Sequence, residues 1–307
     1  MKLSALFFSF ATIAIAQEAR FNGFDVFDAA VPTTEIFEGG VPRDGIEALS
    51  FPKTVSTEAA ELLDYQSHSE VISYTSAEGV TRAYPLAILR MHEVINDEVD
   101  GEPILVTYCP LCKTAMIFSR KVAGRADPLT FGVSGLLHNS DLLIYDRETE
   151  SLWTQLGRRA ITGALKYETL EWLPSRQLRI NSWAELYPEA EVVSVDTGKE
   201  INYRRSVYAA YHNEGFPIFD YAQNRDDLPE FDEIYGMVLG DESLAVSRRQ
   251  LRPGGTEVTL GGEKVTFSYD REARLFTAFR SDGTLLPSVE SYWFAWQAFH
   301  PKTRVLK

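Results

Sequence analysis

Val99-Asp100-Gly101-Glu102-Pro103-Ile104-Leu105-Val106-Thr107-Tyr108-Cys109-Pro110-Leu111-Cys112-Lys113-Thr114-Ala115-Met116-Ile117-Phe118-Ser119 is the stretch on which the reading of this chain turns. Asp100-Gly101 is a turn pair, because both residues tolerate the left-handed conformation a tight hairpin needs. Pro103 to Tyr108 has strand character, and Thr114 to Arg120 resumes it. Cys109-Pro110-Leu111-Cys112 therefore sits between two strands. A thioredoxin-like site would follow its CxxC with a helix, whose N-terminus lowers the pKa of the first thiol; the strand after Cys112 disfavours that fold. A metal knuckle fits the local pattern better, since a CPxC turn between strands points two sulfurs at one ion. A thiol/disulfide pair on another scaffold, and an inert disulfide or buried thiol pair, are the remaining readings.

Outward from this stretch the pattern stays β-rich. Val71 to Tyr74 and Val80 to Tyr84 flank an Ala77-Glu78-Gly79 turn, as a hairpin does. Leu129 to Val133, Leu142 to Tyr145 and Leu152 to Gln155 read as short strands, as do Tyr235 to Leu239, Leu244 to Val246, Glu257 to Leu260, Lys264 to Tyr269 and Leu275 to Phe279. Helical character is brief: Glu58 to Tyr65, Pro85 to Met91, and Trp183 to Tyr187 capped by Asn181 or Ser182. Residues 199 to 232 are polar and irregular. Ser288 to Phe299 reads as a closing helix, with Tyr292, Trp296 and Phe299 on one apolar face. The segment from Val99 to Cys109 has an echo in Leu260 to Asp270, a Gly turn followed by a strand, which suggests a degenerate duplication. The expected fold is thus β-rich α+β: two degenerate related β units, short helices and a C-terminal aromatic helix. The expected boundaries are 1–16, a signal peptide; 17–65, an N-terminal extension; 66–200, a first unit carrying the cysteines; and 201–307, a second unit with the closing helix.

Met1-Lys2, the uncharged run Leu3 to Ala16 and the Ala14-Ile15-Ala16 site give a secretory signal in order, with Gln17 as the expected mature start. The run is too short to span a bilayer, which takes about 20 apolar residues. Without Lys2 the chain carries 29 Lys and Arg against 44 Asp and Glu, a net charge of −15. Such a surface repels nucleic acid and anionic lipid, so neither is an expected partner. Hydrophobic content of 45% is enough for a buried core. Only two cysteines are present, and a pair this close cannot staple a fold, so the motif invites a chemical role.

Further ligands must come from five histidines. His92 precedes the motif strand and His138 falls in the next strand pair; His68, His212 and His300 lie in less ordered or terminal contexts. A site of Cys109, Cys112, His92 and His138 would be soft and nitrogen-rich, suiting copper(I) or zinc over calcium or magnesium. Met116 would add a thioether, though a Met in an apolar strand is ordinarily core. The second dense segment is Phe131 to Gln155. Its Ser134, Ser140, Asp141, Asp146, Arg147 and Trp153 are pocket candidates, with a hairpin turn at Asp146-Arg147-Glu148-Thr149 as the structural alternative. Gly132-Val133-Ser134-Gly135 is not a nucleophile elbow, which needs a residue between Ser and the second Gly. No nucleotide or flavin fingerprint and no HExxH motif is present.

His92-Glu93-Val94-Ile95-Asn96-Asp97, Thr107 to Cys112, Ser134-Gly135-Leu136, Asn139 to Leu142, Tyr145-Asp146-Arg147, Ser151-Leu152-Trp153 and Tyr292 to Trp296 resemble the hallmark runs of a large prokaryotic family of exported proteins, the domain of unknown function 3179 family. The resemblance spans roughly Asp44 to Pro301 and places Cys109, Cys112 and His92 in the hallmark set. It implies no activity. The chain departs from the pattern at Lys113, where a Gly or other small or polar residue is expected, and at His138.

The expected function is transition-metal binding, or thiol redox chemistry with Cys109 as nucleophile and Cys112 as its partner, in the periplasm or outside the cell. The expected partners are a metal ion, a small molecule or a redox partner protein. The alternative is an enzyme or small-molecule-binding module built on Ser134 to Trp153, with the cysteines structural.

Overall fold

A computed structural model describes residues 20–58, 69–252 and 254–306. The expected signal peptide, Gln17, His68 and all but the first residue of the expected helix from Glu58 lie outside them.

The chain builds small sheets arranged as a five-blade, propeller-like ring. Blade 1 orders Arg176–Arg179, Glu70–Thr75, Thr81–Pro85, Glu191–Val193 and Thr54–Ser56. Blade 2 orders Thr114–Ser119, Glu102–Cys109, Val94–Val99 and Leu49–Ser50. Blade 3 orders Leu152–Thr154, Asp141–Asp146, Phe131–His138 and Ile36–Glu38. Blade 4 orders Ser288–Tyr292, Glu233–Leu239, Glu242–Ser247 and Arg304–Leu306; blade 5 is the meander Thr256–Leu260, Glu263–Asp270 and Leu275–Arg280. The N-terminal stretch thus supplies an outer strand to blade 3, then blade 2, then blade 1.

Tight turns make these meanders. Asp100-Gly101 (φ 54° and 76°), Asn139-Ser140 (54° and 59°) and Gly261-Gly262 (58° and 77°) each put two left-handed residues between paired strands. That geometry matches the strands' own twist. Gly135, at φ 72°, interrupts the register of Phe131–His138, and a side chain there would run into the Val41 carbonyl of the N-terminal stretch passing over it.

A division into two related β units is not seen in this ring. The echo between 99–109 and 260–270 marks two hairpins at the same place in their own blades: a two-residue turn, the middle strand, then a four-residue turn. The closing helix is shorter than expected. Ser288–Tyr292 pairs with Glu233–Leu239 as a strand, and only Trp293–Phe299 is helical. The helix near Trp183 runs Ile180–Leu186 and has no side-chain cap from Asn181 or Ser182. The irregular region holds one short helix, Ala209–Glu214.

The largest core cluster lies among blades 2, 3 and 4. It joins both cysteines with Met116, Phe118, Trp153, Trp293, Phe294 and Trp296. Met116 is core, as a Met in an apolar strand ordinarily is.

Candidate functional site

The Cys109-to-Thr114 turn closes a strand pair in which Thr114 faces Cys109. Lys113 takes φ 60°, which tightens the turn and folds Cys112 back beside Cys109. Both cysteines are free and buried. Facing them is the Asn139-Ser140 turn of blade 3. The Cys112 thiol donates to the Ser140 carbonyl at 3.2 Å, and the Ser140 hydroxyl donates to the Phe219 carbonyl at 2.6 Å. Asp141, the first residue past that turn, brings its carboxylate to the sulfurs. One ligand atom each from Cys109, Cys112 and Asp141 lies within 4.8 Å of the others, and all three residues are buried.

Asp141 is unusual as a buried acid. Its Oδ2 accepts the Leu156 amide at 2.9 Å, but Oδ1 has no hydrogen-bond partner among the described residues. Burial pushes its pKa up to about 7, against the pull of the Leu156 amide and the neighbouring thiols. The Tyr211 hydroxyl, within electrostatic reach of both sulfurs, is likewise buried without a partner among the described residues. Burial also raises both thiols, Cys112 furthest, with Asp141 adding to the effect. An electropositive surrounding that would hold a reactive thiolate is not what these sulfurs have.

Beside Cys109 opens a cavity of about 170 Å³, lined by Glu93, Cys109, Pro110, Leu111, Tyr208 and Phe219 with an apolar wall from blade 3. Glu93 follows the helix Leu86–His92 in a left-handed conformation, φ 57°. For a residue with a side chain that conformation costs about 1 kcal/mol or more, and such outliers gather at functional sites. Its carboxylate meets only the Tyr208 hydroxyl, at 3.4 Å, among the hydrogen bonds of the described residues. Burial raises it to about 7, and the charge on Asp141 adds to the shift.

Neither expected histidine reaches the sulfurs. His92 Nδ1 lies 2.7 Å from the Glu47 carbonyl and Nε2 2.7 Å from the Tyr203 hydroxyl, so both nitrogens are engaged. His138 Nδ1 lies 3.2 Å from the Glu35 carbonyl and Nε2 3.1 Å from the Asn139 amide. Burial lowers the pKa of both rings, so they pack as neutral groups. The polar segment divides. Ser140 and Asp141 stand at the site. Ser134 is buried, donating to the Leu143 carbonyl and accepting the Leu136 amide at 3.0 Å across the strand irregularity. Asp146 accepts the Thr149 amide at 2.6 Å and the Trp153 indole at 2.9 Å, which closes its hairpin turn. Arg147 pairs with Asp44 at 2.8 Å near the surface. Lys113, the departure after CPLC, is spent on Glu233 at 2.5 Å and Glu290 at 2.7 Å.

Glu93, Tyr208 and Tyr211 are the site neighbours that the residue pattern did not single out. Glu93 stood beside His92 in a hallmark run, and the tyrosines stood in the irregular region.

A β-propeller-like ring with a buried thiol–carboxylate cluster is the class these observations define. Residues 43–284 match the family model described as Protein of unknown function (DUF3179), and the chain belongs to that family. No curated protein and no solved structure matches it. Among the described residues no helix is long and apolar enough to cross a membrane.

Proposed function

We propose that this is an exported metalloprotein in which Cys109, Cys112 and Asp141 bind one transition-metal ion, zinc by preference. The observation that carries the reading is the convergence of two buried sulfurs and a buried carboxylate with an unpartnered oxygen. A buried carboxylate with one oxygen left unpartnered is expensive unless a cation completes it. Thiolates exclude calcium and magnesium, and the carboxylate favours zinc over copper(I), which prefers sulfur alone. Two thiolates and a carboxylate around a divalent ion leave a net charge of −1, which a buried site tolerates far better than three separate charges. Three protein ligands leave a fourth position, the arrangement of catalytic rather than structural zinc. The redox reading is the weaker one, because burial and the neighbouring acids hold both sulfurs as thiols.

Elemental analysis of the reduced protein, with a free-thiol count, tests this. One zinc per chain and thiols that react only after chelation are expected. Reduced protein that takes up neither zinc nor copper removes the proposal. Intact mass of the secreted product, beginning at Gln17, checks the export reading.

A further inference from the structure

The cavity beside Cys109 has a composition that the metal cluster alone does not explain. One wall is apolar, from Ile46, Val133, Leu137 and Leu142. The lining residues with polar side chains are Glu93, Tyr208 and Cys109, and among the described residues no Lys, Arg or His lines it. Glu93 is therefore a buried acid in the wall of a cavity, itself left-handed at a helix end and held by one long phenol contact. Packing alone would be served better by an apolar residue at this position. Of the three cluster residues, Cys109 is the one that lines the same cavity, so the cavity is the approach to the cluster.

Resting on the metal reading above, we infer that Glu93 is the proton-transfer residue of that site and that the cavity takes a small uncharged acyl compound for hydrolysis. The size fits a ring-sized leaving group with the acyl end toward the cluster, since an apolar cavity of about 150 Å³ holds one benzene ring. The charge fits a neutral compound. With zinc the cluster is at −1, Glu93 adds another negative charge, and no cation lines the cavity to meet a phosphate or carboxylate.

The step balances with water as the only co-reactant. A water molecule at the metal's fourth position gives a proton to the Glu93 carboxylate, and metal binding makes that water acidic enough at neutral pH. Its oxygen forms a bond to the acyl carbon. The bond from that carbon to the leaving oxygen breaks, and Glu93 passes its proton to the leaving oxygen. The products are the free acid and the alcohol, and no electron is gained or lost. Tyr208 touches Glu93 and the cavity together, where it holds the carboxyl in place during both transfers.

The test uses the full chain loaded with zinc, phenyl acetate as probe and phenyl phosphate as the charged comparison. Wild type should hydrolyse phenyl acetate with saturation and leave phenyl phosphate untouched. Glu93→Gln should keep one zinc per chain and lose about 100-fold or more in kcat/KM, the usual worth of a positioned acid–base group. Glu93→Asp, one methylene shorter, should retain zinc with an intermediate rate, which guards against a folding artefact in the amide variant. Zinc-full wild type with no turnover of phenyl acetate overturns the inference, and so does Glu93→Gln with zinc and an undiminished rate. Preference for phenyl phosphate overturns the substrate class. A chain that takes up no zinc fails on the metal assay, which removes the reading beneath the inference and is told apart by that assay.

Discussion

Two turns of this ring share one backbone plan and differ in how deeply they are buried. In blade 2 Thr114 faces Cys109 across the turn, and in blade 5 Leu275 faces Asp270. Each turn ends on a left-handed cation, Lys113 at φ 60° and Arg274 at φ 55°. Both cations reach Glu290, at 2.7 and 2.9 Å. The strand entering the first turn is buried along nearly its whole length, whereas the strand entering the second alternates buried and exposed. Cys109 is covered by the blade 3 hairpin and the region around Tyr208. Asp270 stands in solvent and caps its own turn, accepting the Glu272 and Ala273 amides at 2.8 and 3.0 Å. The turn is thus a generic frame, and cover decides whether it carries chemistry.

The largest effect that separates the two turns is loss of the metal. Cys109→Ser or Cys112→Ser should weaken zinc binding by roughly 1,000-fold or more, since a first ligand matters more than the outer partners worth 10- to 100-fold; competition with a chromogenic chelator reads this. Zinc affinity equal to wild type in either variant would break the comparison at its root. His92→Ala, by contrast, should keep one zinc per chain. It should cost on the order of 1–3 kcal/mol in urea unfolding, because the Glu47 carbonyl and Tyr203 hydroxyl lose their partner.

Lys113→Met comes next. It leaves Glu290, whose side chain is 1% exposed, with Arg274 as its remaining ion-pair partner within 3 Å. Leaving a buried charge unpaired costs about 3–5 kcal/mol, and with Arg274 still on Glu290 the loss should be about 2–3 kcal/mol. Asp270→Ala at the equivalent exposed turn should cost about 1 kcal/mol or less, the net worth of ordinary hydrogen bonds. Equal losses from the two changes in denaturant melts would show that burial does not set the difference.

The pH dependence sharpens the same point. Asp141 and Glu93 each titrate at about 7 when folded, above their ordinary 3.8 and 4.5. Between those limits the metal-free folded state binds more protons than the unfolded chain, so stability falls as pH rises through this window. Metal-free wild type should therefore lose stability from pH 3.8 to about 7 relative to Asp141→Asn, which lacks one of these groups. Zinc should reverse the trend, because binding displaces protons and tightens as pH rises. Thermal melts of both proteins, with and without zinc, give the four curves, and parallel metal-free curves would count against a buried Asp141.

The smallest expected effect is a transplant. Asp270→Cys with Ala273→Cys reproduces the CxxC spacing in blade 5. Open to solvent, with Glu185 and Glu272 its neighbouring carboxylates and no covering blade, it should add no more than weak zinc binding, read as a second site in the same titration. A second tight site would mean that the turn alone is sufficient.

Much of this was legible in the chain. Alternation and Gly turns marked the strands of blades 2, 3 and 5, since hairpins are local and their signals lie within a few residues. The ring was not legible, because Ile36–Glu38 and Thr54–Ser56 find their partners about a hundred residues or more away. The thiol pair announced itself by spacing. Asp141 stood out as a pocket candidate but not as a partner of the thiols, since a hairpin from another blade delivers it to them. His92 and Glu93 show the same limit at single-residue scale. They are neighbours, yet the left-handed turn at Glu93 breaks the helical phase, so the imidazole enters the contact with Glu47 and Tyr203 while the carboxylate enters the cavity.

The route of the N-terminal stretch has a kinetic meaning. It visits blades 3, 2 and 1 in that order, while the chain that follows builds them as 1, 2 and 3. The first segment to emerge therefore waits for strands made later, and Thr54–Ser56 waits for Glu191–Val193. Loops of this span must close before their contacts form, which places the protein among slow folders of high contact order. The N-terminal stretch can therefore lock into the ring only after residues 131–193 have arrived.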